Sequence, residues 1–179
     1  MSEGRVIAAV RDEEALISAL KSKVNIIFDL APNIETLTQR VKLCNENGKM
    51  LFIHIDLAEG IGKDKAGLKF VKKCGADGIL STRSSLIKAA NEAGLKTIQR
   101  TFIVDTQSLE TAFLSVKTKP DMVEIMPGVI SPRVMKKICD EMEIPVIVGG
   151  LIEHTEEIDS AIAAGVSAVS TGKKELWNY

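Results

Sequence analysis

Polar side chains set at every second position of otherwise aliphatic runs are the first features of this chain that could do chemistry. In Met50-Leu-Phe-Ile-His-Ile-Asp56, strand alternation puts Met50, Phe52, His54 and Asp56 on one face and Leu51, Ile53 and Ile55 on the other. The aliphatic face suits a layer of helices, which turns His54 and Asp56 the opposite way. In Met122-Val-Glu-Ile-Met126 the same parity faces Val123 and Ile125 outward and Glu124 inward. A carboxylate so enclosed must be paired or hydrogen-bonded. These residues form either a structural polar network or a ligand-binding mouth built from His54, Asp56, Glu59, Glu124 and Asp105, in which His54 and a carboxylate could act as acid and base. Along Thr97-Ile-Gln-Arg-Thr-Phe-Ile-Val-Asp105, parity groups Arg100 with Ile98, Phe102 and Val104, which read as outward-facing. Either a bulge re-aims Arg100 or Gln99 is the inward residue. An inward Arg would serve a phosphate or Glu124, because its planar fork fits both.

The last third carries a phosphate signal. Val146-Ile-Val-Gly-Gly150 ends one apolar run with two glycines, and Ser170-Thr-Gly172 ends the next, just before a short segment, Lys173 to Trp177, able to form a final helix. Glycines admit backbone N–H groups to an anion, hydroxyls add donors and a helix N-terminus adds its dipole. The competing explanation of the glycines is tight turns that need positive φ. No Lys lies inside the predicted strands, which disfavours a Schiff-base aldolase.

Eight short strands would position these groups: Val6–Val10, Val24–Phe28, Met50–Asp56, Gly78–Ser81, Thr97–Val104, Met122–Met126, Val146–Gly149 and Val166–Ser170. They recur about every 23 residues with helical segments between, the spacing of βα units. Helix starts are marked by Asp12, Asn33, Ser131-Pro132 and Thr155, and helix ends by Gly48, Gly75, Gly94 and Gly165. Alternation throughout implies a parallel sheet. Eight units with no central break and no Gly-rich turn after the first strand favour a closed (β/α)8 TIM-like barrel over an open doubly wound sheet. Such barrels take about 250 residues and about 200 at the small end, so 179 residues demand minimal loops in one domain spanning 1–179. The strands ending Ser81-Thr82 and Ser170-Thr171 share a hydroxyl pair, as half-barrel duplication or chance would give.

Composition narrows the function classes. Forty-five per cent hydrophobic residues with mixed charge exclude a disordered chain, and a net charge of -1 excludes a globally basic nucleic-acid coat. The opening Met1-Ser2-Glu3-Gly4-Arg5 has no signal-peptide character, and no apolar run reaches the roughly 18 residues of a membrane span. Cys44, Cys74 and Cys139 are scattered, with no C-x-x-C pair, as in reduced cytoplasmic proteins. Charge is nonetheless uneven. From Lys63 to Arg100 there are nine basic residues against Asp64, Asp77 and Glu92. Lys65, Lys69, Lys72 and Lys73 share one helix face opposite Ala66, Phe70 and Cys74. The stripe is either a solvated helix face or a contact to a nucleic-acid backbone, and 4% aromatic residues leave few platforms for stacked bases.

In order along the chain, His54-Ile-Asp-Leu-Ala-Glu-Gly60, Asp77-Gly-Ile-Leu-Ser-Thr82, Gln99-Arg-Thr-Phe-Ile-Val-Asp105, Pro120-Asp-Met-Val-Glu-Ile-Met-Pro-Gly128, Gly149-Gly-Leu-Ile152 and Ser170-Thr-Gly172 with Leu176-Trp177 resemble the glycerol uptake operon antiterminator regulatory proteins, from about Phe28 to Trp177. The resemblance implies a small barrel that senses the effector glycerol 3-phosphate and acts on leader mRNA to prevent transcription termination, without catalysis, cofactor or metal. It implies ligand positions at His54, Asp56, Glu59, Gly60, Arg100, Glu124, Pro127 and Gly128, and phosphate positions at Gly149, Gly150, Ser170 and Thr171, next to Gly172. Members of the family tend to have a third hydroxyl residue where this chain has Gly172 and a bulkier aliphatic residue where it has Ala58. RNA would meet the barrel's outer face, as a monomer or a homo-oligomer. The alternative is a TIM-barrel enzyme acting on a small phosphorylated metabolite in the same pocket.

Overall fold

The computed structural model describes residues 4–179; Met1 to Glu3, part of the opening segment read above for a signal peptide, lie outside them. Strands β1 (Val6–Val10), β2 (Ile26–Asp29), β3 (Met50–His54), β4 (Gly78–Ser81), β5 (Lys96–Phe102), β6 (Met122–Met126), β7 (Val146–Gly149) and β8 (Ala168–Thr171) pair in parallel in chain order. β8 returns to β1, with Ile7 opposite Ser170, and closes the barrel. Helices α1 (Glu13–Lys21), α2 (Leu37–Glu46), α3 (Lys65–Lys73), α4 (Ser84–Ala93), α5 (Thr106–Ser115), α6 (Pro132–Glu141) and α7 (Thr155–Ala163) form the outer layer. Economy of length has a visible source. Most strands have four or five residues, the helices nine or ten, and a 3-10 turn at Lys174–Leu176 stands where an eighth helix would be. No helix among the described residues is long and apolar enough to cross a membrane.

Strand alternation divides the buried apolar residues into two layers. Val6, Ile27, Ile53, Ile79, Val123, Ile125 and Val148 face the helices, meeting residues such as Leu16, Leu68, Ile87, Met135 and Ile158. Ile7, Phe28, Phe52, Leu80, Ile98, Ile147 and Ala168 fill the barrel interior, with the Phe28 and Phe52 rings edge to face at 6.0 Å between centroids. Above this apolar floor, near the carboxyl ends of the strands, lies a polar layer of buried His54, Arg100, Glu124 and Ser170.

Several expectations need correction. Ile98 faces the interior rather than the helices, so Arg100 points inward by plain alternation and no bulge is involved. Gln99 is the outward residue, buried under the start of α4, where its amide donates to the Ser81 and Thr82 carbonyls and its Oε1 accepts from Ser84. Both faces of a small barrel strand are apolar, so parity groups residues without saying which group is inside. β5 also begins one residue earlier than expected, which brings Lys96 into a strand. It lies exposed at the amino end, far from the mouth. β3 stops at His54 and Ile55–Leu57 turn as a 3-10 helix, which releases Asp56 from strand parity. α2 starts at Leu37 rather than near Asn33, whose side chain instead closes a turn with the Glu35 N–H at 2.8 Å. Asp12 caps α1 by accepting from the Ala15 N–H at 2.7 Å, and Gly48, Gly75, Gly94 and Gly165 adopt positive φ, both as expected. All three cysteines are free. Cys44 is fully buried, which with the nearby Asp29 carboxylate pushes its thiol up to about 12, whereas Cys74 and Cys139 are half-buried.

Candidate ligand site at the barrel mouth

Glu124 organises the polar layer. It is fully buried, and both its oxygens are engaged: Oε2 accepts from Arg100 Nε at 2.6 Å and Oε1 from Ser170 Oγ at 2.6 Å. Arg100 sits on the neighbouring strand directly opposite Glu124, but Ser170 lies two strands away and must reach across β7. Gly149 makes that reach feasible, because a Cβ there would sit 2.0 Å from Ser170 Oγ and 2.8 Å from Glu124 Oε1. With Nε held by Glu124, the two terminal nitrogens of Arg100 have no protein partner among the described residues, and Arg100 lines a cavity of about 530 Å3. A buried carboxylate thus holds a guanidinium in place beside an open space, an arrangement suited to an anion.

The loops after β7 and β8 form the wall of that cavity. Gly150 and Leu151 both have positive φ, 82° and 63°, and Gly150, Leu151, Thr171, Gly172 and Lys173 all line the space. Successive residues in the left-handed region turn backbone N–H groups toward one side, and for Leu that conformation costs about 1–2 kcal/mol. The hydroxyls expected to be phosphate donors are otherwise engaged. Ser170 donates to Glu124, while Thr171 Oγ1 donates to the Ile152 carbonyl at 2.9 Å and accepts from the Lys173 N–H at 3.0 Å. Thr171 therefore ties the β7 and β8 loops together. Trp177, 2% exposed, fastens the same loop from below through Nε1 to the Thr171 carbonyl at 2.9 Å.

Three cavity cations lay outside the sequence candidates, and one of them, Lys174, is already paired with Glu14 at 2.6 Å. Arg11 follows β1 and Lys173 follows β8, each just past a strand end, and both line the cavity with Arg100. The rule that found His54 and Glu124, an inward polar residue near a strand's carboxyl end, would have found Arg11 and Lys173 had it been extended past the final β residue. Leu30, Met126 and Ile152 supply apolar wall.

The remaining sequence candidates divide. His54 is inward as expected and 4% exposed, and its Nδ1 is the one buried side-chain nitrogen or oxygen without a hydrogen-bond partner among the described residues. Burial first, then the Arg100 guanidinium, pushes its pKa down to about 4, so the ring is neutral. Asp56 does not point into the barrel. It turns to the β4 end and accepts from Ser81 Oγ at 2.9 Å, the Thr82 N–H at 2.7 Å, Thr82 Oγ1 at 3.1 Å and Arg83 Nε at 2.9 Å. Burial works to raise its pKa, and those hydrogen bonds outweigh it, holding the carboxyl below its ordinary value. Glu59 lies on the exposed rim, where its carboxylate accepts from the Asn33 amide at 3.1 Å, and Gly60 follows it with φ 71°. Pro127 follows β6, and the Gly128 N–H donates to the Gly150 carbonyl at 2.9 Å beneath the cavity wall. Asp105 is no part of the mouth. It caps α5, accepting from the Ser108 N–H at 2.7 Å. Among the described residues no group of three or more His, Cys, Asp or Glu could hold a metal ion.

Comparison with known proteins gives this geometry its context. Residues 6–177 match the family described as glycerol-3-phosphate responsive antiterminator. The chain belongs to that family. It is similar to the uncharacterized protein YgcP of Escherichia coli (strain K12), 38% identical over 99% of this chain and 93% of YgcP. Among solved structures it is similar to the glycerol uptake operon antiterminator regulatory protein of Listeria monocytogenes str. 4b F2365, at 32% identity and TM-score 0.89 over 96% of this chain and 94% of that one. A glycerol uptake operon antiterminator-related protein of Thermotoga maritima MSB8 superposes with TM-score 0.86 at 30% identity, covering 97% and 98% of the two chains.

In this antiterminator-family chain the basic stripe of α3 is less free than its sequence implied. Lys65 pairs with Glu92 at 3.0 Å and Lys72 donates to the Ala93 carbonyl at the end of α4, whereas Lys69 and Lys73 are exposed without an ion pair among the described residues. α3 buries Gly67, Leu68 and Val71 fully, with Phe70 and Cys74 half-buried against the same core and Ala66 exposed.

Proposed function

We propose that this protein is a non-catalytic regulator whose effector, glycerol 3-phosphate, binds at the barrel mouth and biases it toward a form that engages leader mRNA and prevents transcription termination. The observation that carries the reading is the buried Glu124 that fixes Arg100 against the cavity, beside two consecutive left-handed residues of the β7 loop. The phosphate sits among Arg100, Arg11, Lys173 and the backbone of Gly150, Leu151 and Gly172, with Ser170 and Thr171 holding those groups rather than donating to the ligand, and Gly149 beneath them giving Ser170 room to reach Glu124. Neutral His54 belongs to the same buried polar layer as Arg100, but its Nδ1 is closed off from the cavity, and the glycerol moiety meets the apolar wall of Leu30, Met126 and Ile152 instead. A cavity of about 530 Å3 admits so small a ligand with space left over. Family membership supports the choice of effector and of regulation over catalysis.

RNA meets the outer surface at Lys69 and Lys73, the two free cations of the α3 stripe. Filter binding of leader RNA with and without glycerol 3-phosphate tests the coupling. The effector should tighten RNA binding, RNA should tighten effector binding by the same factor, and log K should fall linearly with log[salt]. An RNA affinity indifferent to the effector sinks the coupling. Turnover of a phosphorylated metabolite that His54→Ala abolishes without unfolding the protein would instead make it an enzyme.

A further inference from the structure

We propose that the rim between β5 and β6, with the outer faces of α5 and α6, is a self-association surface covered by a second copy of this chain about a two-fold axis. Phe102 51%, Val104 82% and Val129 43% are exposed at the rim, and Leu114, 56%, is exposed in the last turn of α5. Val104 borders a groove of about 330 Å3 whose apolar lining comes from Ile103 and Ile130 of the loops after β5 and β6 and from Leu109 of α5 and Val134 of α6. α5 buries only Ala112 fully, whereas α4 buries Leu86, Ile87 and Ala90. The flank of α5 that faces α6 is therefore not closed by this chain's own packing. Contiguous apolar surface of this kind marks an interaction site, since isolated exposed apolar residues are ordinary but clusters are not.

Charge selects the occupant. α5 contains no cationic residue and presents Glu110, while the first turns of α6 present Arg133, Lys136 and Lys137. Lys136 and Lys137 already pair with Asp140 and Glu141 four residues on. Glu110 and Arg133 have no ion-pair partner among the described residues. An isologous contact places α5 of each copy against α6 of the other, so that Glu110 of one copy meets Arg133 of its mate twice over, with Val104 and Leu114 enclosed between them. The groove itself suits RNA poorly, because it is largely aliphatic and bordered by Asp105, and the Lys136 and Lys137 cations of the adjoining α6 face are already paired with carboxylates.

Sedimentation velocity over a concentration series tests the proposal on the full chain. The wild type should dimerise, and Val104→Glu should raise the dissociation constant by on the order of tenfold or more. Glu110→Arg and Arg133→Glu should each weaken the dimer several-fold, and the double reversal should restore it. All three positions are exposed, so melting temperatures should stay close to wild type and separate lost association from lost folding. A wild type monomeric at every concentration overturns the proposal, as does a dimer that none of these variants weakens. A monomer whose RNA affinity falls on Val104→Glu also overturns it and gives the face to RNA. Each of these outcomes is independent of whether glycerol 3-phosphate binds at the mouth.

Discussion

Two rims of the barrel carry the same three chemical groups and use them differently. At the β4 end, Ser81 and Arg83 donate to the carboxylate of Asp56; in the interior, Ser170 and Arg100 donate to the carboxylate of Glu124. In the first set the arginine is half-exposed, 49%, and Asp56 also takes the Thr82 N–H and hydroxyl. In the second the arginine side chain is 9% exposed and the carboxylate fully buried, with Arg100 bordering the cavity. A carboxylate with surplus donors next to solvent stabilises a loop and asks nothing of a ligand. A carboxylate that just suffices to hold one buried guanidinium leaves that cation's remaining hydrogen-bond capacity available. Under the proposed function the interior set binds and the β4 set is scaffolding, and each variant below breaks one side of that contrast.

The largest effect belongs to Arg100→Ala. It strands a buried carboxylate without its cation, which costs about 3–5 kcal/mol in urea unfolding and removes anion binding. The double variant Arg100→Met with Glu124→Leu should regain most of the stability and none of the binding, because it removes both charges from the interior. Recovery of effector affinity in that double variant would refute the role given to Arg100.

His54 lies between the two sets, with Arg100 and Asp56 acting on it in opposite directions. Its pKa is about 4 in the fold against 6.5 when unfolded. Between those values the unfolded chain binds a proton that the folded chain refuses. The neutral ring's contribution is therefore fully present above about pH 6.5 and is lost as pH falls toward about 4, by up to about 3 kcal/mol. Asp56, held below its ordinary 3.8, loses its own contribution only at lower pH still. Urea titrations across that range should slope for the wild type and flatten for His54→Asn; an unchanged slope would place the titrating group elsewhere.

These sets were unequally legible in the sequence. Barrel closure could be read because strand and helix signals alternated in chain order, and β1, β4, β6 and β7 have the expected bounds. Glu124 was legible because Val123 and Ile125 flank it on a strand whose outer face is plainly aliphatic. Arg100 was not, since Ile98 packs inside a barrel whose two faces are both apolar, and parity cannot name the inner one. Asp56 failed for a different reason: β3 ends two residues before it, and a 3-10 turn re-aims the side chain. The hydroxyls of Ser170 and Thr171 were found at the correct strand end, yet their partners, Glu124 and the Ile152 carbonyl, come from elements 46 and 19 residues away, a distance that local patterning does not report.

Ser170→Ala probes the interior set more gently. It leaves Glu124 Oε1 without its donor in a fully buried site, at a cost of about 1–3 kcal/mol. Because the Arg100 contact remains, effector affinity measured by calorimetry should fall by less than in Arg100→Ala. An equal loss would mean that Ser170 touches the ligand itself.

The smallest effect is expected on the other rim. Arg83→Ala leaves Asp56 with Ser81 Oγ, the Thr82 N–H and the Thr82 hydroxyl, and it removes an ion pair whose cation is half in solvent. Exposed pairs contribute about 0–1 kcal/mol, so unfolding should shift within that range and effector affinity should not move. Asp56→Ala goes further, leaving the same hydroxyls and N–H without their acceptor, and it should destabilise more than Arg83→Ala while still sparing the anion site. If instead Arg83→Ala lowers effector affinity tenfold at unchanged stability, the two sets form one site that spans the mouth, and the surplus of donors at Asp56 serves to hold Arg83 over the ligand.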